Sequence, residues 1–109
     1  MEHELQRRIA ANEAVFREVN EGIARGQWPG EEDDPVSFRC ECARLGCNVL
    51  VTLSVHEYER VRAHPRRFIV APGHELAEVE SVVQNGANYV VVEKEDEAGD
   101  VAEEFDPRE

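Results

Sequence analysis

The chain has 109 residues, 41% of them hydrophobic, and a formal net charge of −12 from 24 acidic and 12 basic side chains. Its length suits one domain with a modest core, and its acidity disfavours nucleic-acid binding, which needs a positive field. No stretch approaches the ~20 apolar residues of a membrane span, and Met1-Glu2-His3-Glu4 does not open as a signal peptide does, so a cytoplasmic address with reduced thiols is expected.

Residues 1–27 are read as an amphipathic helix. Leu5, Ile9, Phe16, Val19 and Ile23 recur at helical steps, and on a heptad grid Asn12 falls in the same seam as a register-setting polar residue. The favoured expectation is that this face lies on the protein's own sheet. The alternative is a projecting arm that pairs with another protein or a second copy of the chain. Gly26, Pro29 and Gly30 end the helix, and Glu31-Glu32-Asp33-Asp34-Pro35 makes residues 28–35 an acidic linker. Trp28 at this boundary is either an anchor on the core or a contact for a partner.

Residues 36–94 are expected to form an α+β domain built around a knuckle. Val36–Cys40 and Asn48–Leu53 read as strands entering and leaving Cys40-Glu41-Cys42-Ala43-Arg44-Leu45-Gly46-Cys47, which carries all three cysteines. Ser54-Val55-His56-Glu57 is a capping box, with Leu53 and Tyr58 placed as a hydrophobic staple. The helix it opens has Val55, Tyr58 and Val61 on its inner face and stops near His64-Pro65. Arg67–Ala71 reads as a buried strand, after which Pro72-Gly73 presents His74. Residues 76–86 admit a short helix or a strand. The strand is favoured, with Asn85-Gly86 as a type I′ hairpin turn leading into Tyr89-Val90-Val91-Val92. Residues 95–109 read as a mobile acidic tail, with Val101 and Phe105 its only docking points. The fold class is α+β: a long N-terminal helix, a small antiparallel sheet of four or five strands bearing the knuckle, and one packed helix.

The chemistry converges on the knuckle. An odd thiol count argues against a closed disulfide framework, and a small core gains from a structural metal. Structural zinc takes four tetrahedral thiolate or imidazole ligands. Cys40, Cys42 and Cys47 supply three, and His74, aimed by the rigid Pro-Gly turn, is the first choice for the fourth. His56 is second; His64 suits the end of a helix, and His3 lies near the chain start. The competing readings are cysteines buried merely as small apolar residues, and His74 as an ordinary surface histidine. A catalytic zinc needs a base nearby, and only Glu41 and Glu75 are neighbours in sequence. Ser37, Ser54 and Ser81 lack a nucleophile elbow, and no glycine loop cradles phosphate. Between Phe38 and His74, six arginines (39, 44, 60, 62, 66, 67) face three glutamates (41, 57, 59), a local charge of +3. These arginines either pair with the protein's own acids or form a patch for an acidic partner.

Phe38-Arg39-Cys40-Glu41-Cys42, Cys47, Tyr58-Glu59-Arg60-Val61-Arg62, Arg67-Phe68 and Ala71-Pro72-Gly73-His74-Glu75 follow a helix containing Asn12-Glu13-Ala14-Val15-Phe16-Arg17-Glu18-Val19-Asn20. In these runs the chain resembles a group of short, mostly uncharacterised bacterial proteins of actinobacterial type, which share a Cys-x-Cys-x4-Cys knuckle and a later Pro-Gly-His-Glu turn. The resemblance spans residues 7–94 and implies the module and its metal without an activity. The knuckle spacing alone is also similar to the zinc motif that follows the catalytic domain of SET methyltransferases, a local match. Three functions follow. The first is a zinc-binding interaction or regulatory module with a Cys3His site and no catalytic role. The second is a redox-responsive zinc-thiolate switch, and the third a small zinc-dependent hydrolase.

Overall fold

The structure is a computed structural model that describes residues 3–42, 44, 46–76 and 80–106, with the backbone alone for 3–10, 12, 96 and 97. Ser54 starts α2 (Val55–Arg62) as its sequence requires: its hydroxyl accepts from the Glu57 N–H (3.1 Å) and the Glu57 carboxylate accepts from the Ser54 N–H (2.9 Å). The hydrogen bond from Ser54 holds the Glu57 carboxyl below its usual range. Leu53 and Tyr58, the expected staple, are both buried. The other elements, in chain order, are α1 (His3–Arg25), β1 (Val36–Arg39), β2 (Leu50–Leu53), then after α2 β3 (Arg67–Val70), β4 (Glu80–Asn85), β5 (Val90–Lys94) and α3 (Asp96–Glu104).

The fold is α+β, but its strands form two small antiparallel sheets rather than one. β1 pairs with β2, Phe38 opposite Val51, and β5 lies between β3 and β4, Ile69 opposite Val91. The division falls at the knuckle. Beyond Arg39 the chain leaves β2, and the Glu41 N–H donates to the Ile69 carbonyl of β3 at 2.7 Å. Period-two alternation sends Val51 and Leu53 inward while Leu50 and Thr52 stay exposed. Phe38 stacks on Tyr58 with ring centroids 4.6 Å apart, and Val51, Ile69, Val70, Val91 and Val92 belong to the same buried core, Ile69 and Val70 turning to opposite faces of their strand as do Val91 and Val92.

Residues 80–94 are the favoured hairpin, with a different turn. The loop runs from Gly86 to Tyr89, closed by the Gly86 N–H on the Tyr89 carbonyl (2.8 Å), and Gly86 is not among the glycines of positive φ. Glycine is needed here for room: a Cβ would come within 2.2 Å of the Tyr89 ring. The pairing slips between Val82 and Gln84, and such a bulge discourages further strands from adding to an edge. The expectation of a mobile acidic tail over 95–109 is corrected for 95–106; 107–109 lie outside the described residues. Asp96–Glu104 is helical, Val101 and Ala102 are buried, and Arg66 binds Asp100 and Glu103 (both 2.5 Å). Val101, one of the two expected docking points, is where the segment docks, with Ala102 beside it.

α1 does lie on the domain, against β1 and α3, but the expected apolar face meets it only along one edge, where Ile23 packs partly buried on the core. Val15 and Val19 are exposed and Phe16 is half-buried beneath Arg39, whereas Glu13, Arg17, Asn20 and Glu21 are buried. The side chains of Leu5, Ile9 and Asn12, also in the expected seam, lie outside the described residues. Each of these buried side chains has partners, as burial demands, although Nε of Arg17 finds none. Arg17 donates to the carbonyls of Pro65 (3.0 Å) and Arg67 and lies 3.8 Å over the Phe68 ring. Glu21 accepts from Arg62 (2.7 Å), and Lys94 donates to Glu13 (2.7 Å) and Glu80. Among the described residues no helix is long and apolar enough to cross a membrane.

Two carboxylates on one buried ammonium leave Glu13 uneasy. Burial above all, with Lys94 opposing it and Glu80 and Glu41 adding to it, pushes its carboxyl from 4.5 up to about 7. A pKa raised in the folded state contributes stability that is present below the unfolded value and is lost as pH rises through the folded one. The full term is about 3 kcal/mol, of which on the order of 1 kcal/mol disappears between about pH 6 and pH 8. Denaturant midpoints should therefore show Glu13→Gln gaining on wild type by that amount across this range; parallel curves would exclude the effect.

Candidate metal centre

Cys40 and Cys42 leave β1 in extended chain, so their side chains share a face while Glu41 points to the opposite one. The Cys40 N–H still donates to the Val49 carbonyl (3.0 Å), which holds the knuckle's entry beside its exit. Cys47 returns through a turn closed by its own N–H on the Arg44 carbonyl (3.2 Å), with Gly46 at φ 78°, a backbone state that suits glycine. Arg39 pins the same turn by donating to the Cys47 carbonyl (3.0 Å).

His74 arrives from the other side. Its N–H closes a turn on the Ala71 carbonyl (2.9 Å), Gly73 takes φ 86°, and the Glu75 carboxylate accepts from the Gly73 N–H (2.9 Å). Arg44 reaches from the knuckle to the Gly73 carbonyl (2.8 Å), tying the two turns together. The first-choice set is therefore brought together: one ligand atom each from Cys40, Cys42, Cys47 and His74 lies within 4.8 Å of the others, and no disulfide links the sulfurs. His56 is engaged elsewhere, its Nδ1 2.7 Å from Asp33 in an open cleft of about 470 Å³ that Glu59 and Arg60 also line. His64 is exposed just past α2, and the side chain of His3 lies outside the described residues.

The spacing fits a four-coordinate ion. With zinc–sulfur and zinc–nitrogen bonds of ~2.3 and ~2.05 Å, a tetrahedron sets sulfur and nitrogen about 3.6 Å apart. The imidazole Nδ1 lies 3.6 Å from the Cys40 sulfur and 3.7 Å from that of Cys47. The Ala71 N–H donates to the Cys40 sulfur (3.1 Å), as backbone amides do for a charged ligand. Cys40 and Cys42 are buried and Cys47 is half-buried. Burial pushes the Cys40 and Cys42 thiols up. Burial also opposes ionisation of Cys47, but hydrogen bonds from the Val49 N–H and the neighbouring sulfurs outweigh it and bring that thiol down. A buried pair that resists ionising on its own is one whose thiolates need a cation beside them.

The arginines of the basic segment are largely spoken for. Arg39 and Arg44 brace the knuckle, Arg62 binds Glu21 and Asp106, Arg66 binds Asp100 and Glu103, and Arg67 binds Glu93. What the sequence reading missed is the support behind the sulfurs. Glu41 is wholly buried, accepting from Asn20 (2.8 Å) and from the Ile69 N–H (3.1 Å). The available signal was the polar set Glu13, Arg17, Asn20 and Glu21, at steps of four, three and one residues on one face of α1.

Scans of family models, curated proteins and solved structures find no match to the chain. Replacing His74 by alanine should weaken metal retention by more than the ~100-fold that a merely supporting residue costs. His56→Ala should leave it unchanged, and competition with a chromophoric chelator reads both. Equal losses, or none for His74→Ala, would transfer the fourth position elsewhere.

Proposed function

We propose that this chain is a small protein-interaction or regulatory module whose Cys40, Cys42, Cys47 and His74 hold a structural zinc ion. The observation that carries the reading is the convergence of three sulfurs and one imidazole within 4.8 Å, the donor set of closed zinc sites. Three soft thiolates favour zinc over the hard cations, and zinc accepts the tetrahedral arrangement without electronic penalty. Such a donor set keeps thiols ligated in a reducing cytoplasm. The likeness to short actinobacterial-type proteins with the same knuckle and turn belongs to the same proposal.

A non-catalytic role follows from the coordination. Four protein ligands fill a tetrahedron and leave no position for water or substrate. The two acids that a hydrolase would recruit are committed elsewhere, Glu41 to Asn20 and Ile69, and Glu75 to the Gly73 N–H. For a partner, another protein or a second copy, the support is on α1. Val15 and Val19, one turn apart, are 57% and 44% exposed, and Trp28 beyond the helix end is 77% exposed.

Purified protein should carry one zinc per chain. Chelation should lower its melting temperature by more than about 10 °C, because metal binding is folding free energy in small sites. Cobalt in place of zinc should give thiolate charge-transfer bands and the intense visible absorption of a tetrahedral ion. Metal-free protein with an unchanged melting temperature would end the reading. Val15→Glu with Val19→Glu should abolish self-association or partner capture while sparing the fold, since both side chains face solvent; sedimentation and a pull-down from the native cell measure this.

A further inference from the structure

Asn20 holds the Arg39 backbone just before Cys40 and the Glu41 side chain just after it. Its Oδ1 accepts from the Arg39 N–H (2.7 Å), and its Nδ2 donates to the Arg39 carbonyl (2.9 Å) and to the Glu41 carboxylate (2.8 Å). The Cys40 sulfur between these anchors faces His74. Residues 39–41 are thus gripped from behind by α1 and in front by the ligand cluster. The rest of α1 is attached mainly by polar contacts, through Arg17, Glu21 and Glu13, with Ile23 and Ala24 packed partly buried on the core near its end, while Val15 and Val19 face outward. Directional hydrogen bonds fail when their partner shifts by an ångström, where an apolar contact would adapt. Glu41 and Asn20 are both fully buried, so a parting of the two leaves a desolvated carboxylate short of a donor. That cost makes partial undocking unfavourable and favours two discrete states.

We propose that α1 is a metal-gated clasp: the ion at the four ligands holds α1 on the domain through Glu41 and Asn20, and Asn20 in return raises the affinity of the site. This rests on the metal reading above and goes beyond it, because it makes release of α1, with the face now turned to the domain, the consequence of metal loss. Linkage requires the effect to be reciprocal. Asn20 acts as a positioning residue, bonded to the residues flanking a ligand.

The test uses the full chain and zinc. Asn20→Ala should weaken zinc affinity about tenfold, within the ~5- to 150-fold range usual for coupled sites, measured by competition with a chromophoric chelator. Tyr89→Phe, which loses the hydrogen bond from the Tyr89 hydroxyl to the Glu57 carboxylate (3.0 Å), serves as a control that lowers the melting temperature; its zinc affinity should stay within about twofold of wild type. In wild-type protein, chelation should raise hydrogen exchange over residues 13–25 while β4 and β5 keep their protection. An unchanged affinity in Asn20→Ala, an equal fall in Tyr89→Phe, or exchange that rises uniformly or not at all in α1 would each overturn the clasp. Should Asn20→Ala fail to fold, the wild-type exchange experiment decides alone. Wild-type protein without stoichiometric zinc would instead remove the metal reading beneath, a result distinct from a zinc-loaded protein that shows no coupling.

Discussion

The alternation of side chains along three extended residues is the constraint on which the rest of this structure depends. Cys40 and Cys42 point to one face, where His74 and Cys47 meet them, and Glu41 points to the other, where it is wholly buried. A helix at this point would have scattered the sulfurs, and a register slip of one residue would have exchanged the carboxylate for a thiol. The same three residues therefore shape the ligand cluster and seat α1.

Burying Glu41 is costly, and the fold meets the cost with specific partners instead of expelling the charge. Asn20 and the Ile69 N–H bind its two oxygens, and Arg17 and Arg62 contribute favourable fields, although burial still raises its carboxyl above the usual range. Similar arrangements recur along α1: Glu21 with Arg62, and Glu13 and Glu80 with Lys94. Buried polar networks of this sort contribute modest net stability and fix a unique geometry when satisfied. A modest apolar core thus sits beside a long helix held by charge and hydrogen bonding, with the ligand cluster on the far side of the same strand.

The acidic surplus of the chain is also put to local use. Arginines that looked like a basic patch in sequence are consumed by this network, by α3 and by the turns of the knuckle. What remains outward on α1 is a pair of valines one turn apart, whose exposure follows from the polar face having taken the inner side.

Local physics made several features readable from residue order alone. The Ser54 capping box, the β-branched runs of β2 and β5 and the Pro-Gly turn before His74 depend on neighbours within a few positions, and each took the form its chemistry dictates. The cysteine count and spacing, with the choice of His74, identified the cluster because few side chains in the chain offer sulfur or imidazole. Other features depended on what packs against what. Amphipathic periodicity marked α1 as a helix but set its inner face to one side of the true one, with Ile23 on the shared edge, since it counts apolar residues and has no means of knowing that Glu13, Arg17, Asn20 and Glu21 meet opposite charges and backbone groups 19 to 81 residues away. Composition likewise read residues 95–109 as tail, because Arg66, which holds Asp100 and Glu103, lies more than thirty positions earlier. Sequence determined α1, α2, the strands and the donor atoms; tertiary structure decided α3, the division into two sheets and which faces are inside, because burial of a charge is settled by a partner that only the folded chain brings near.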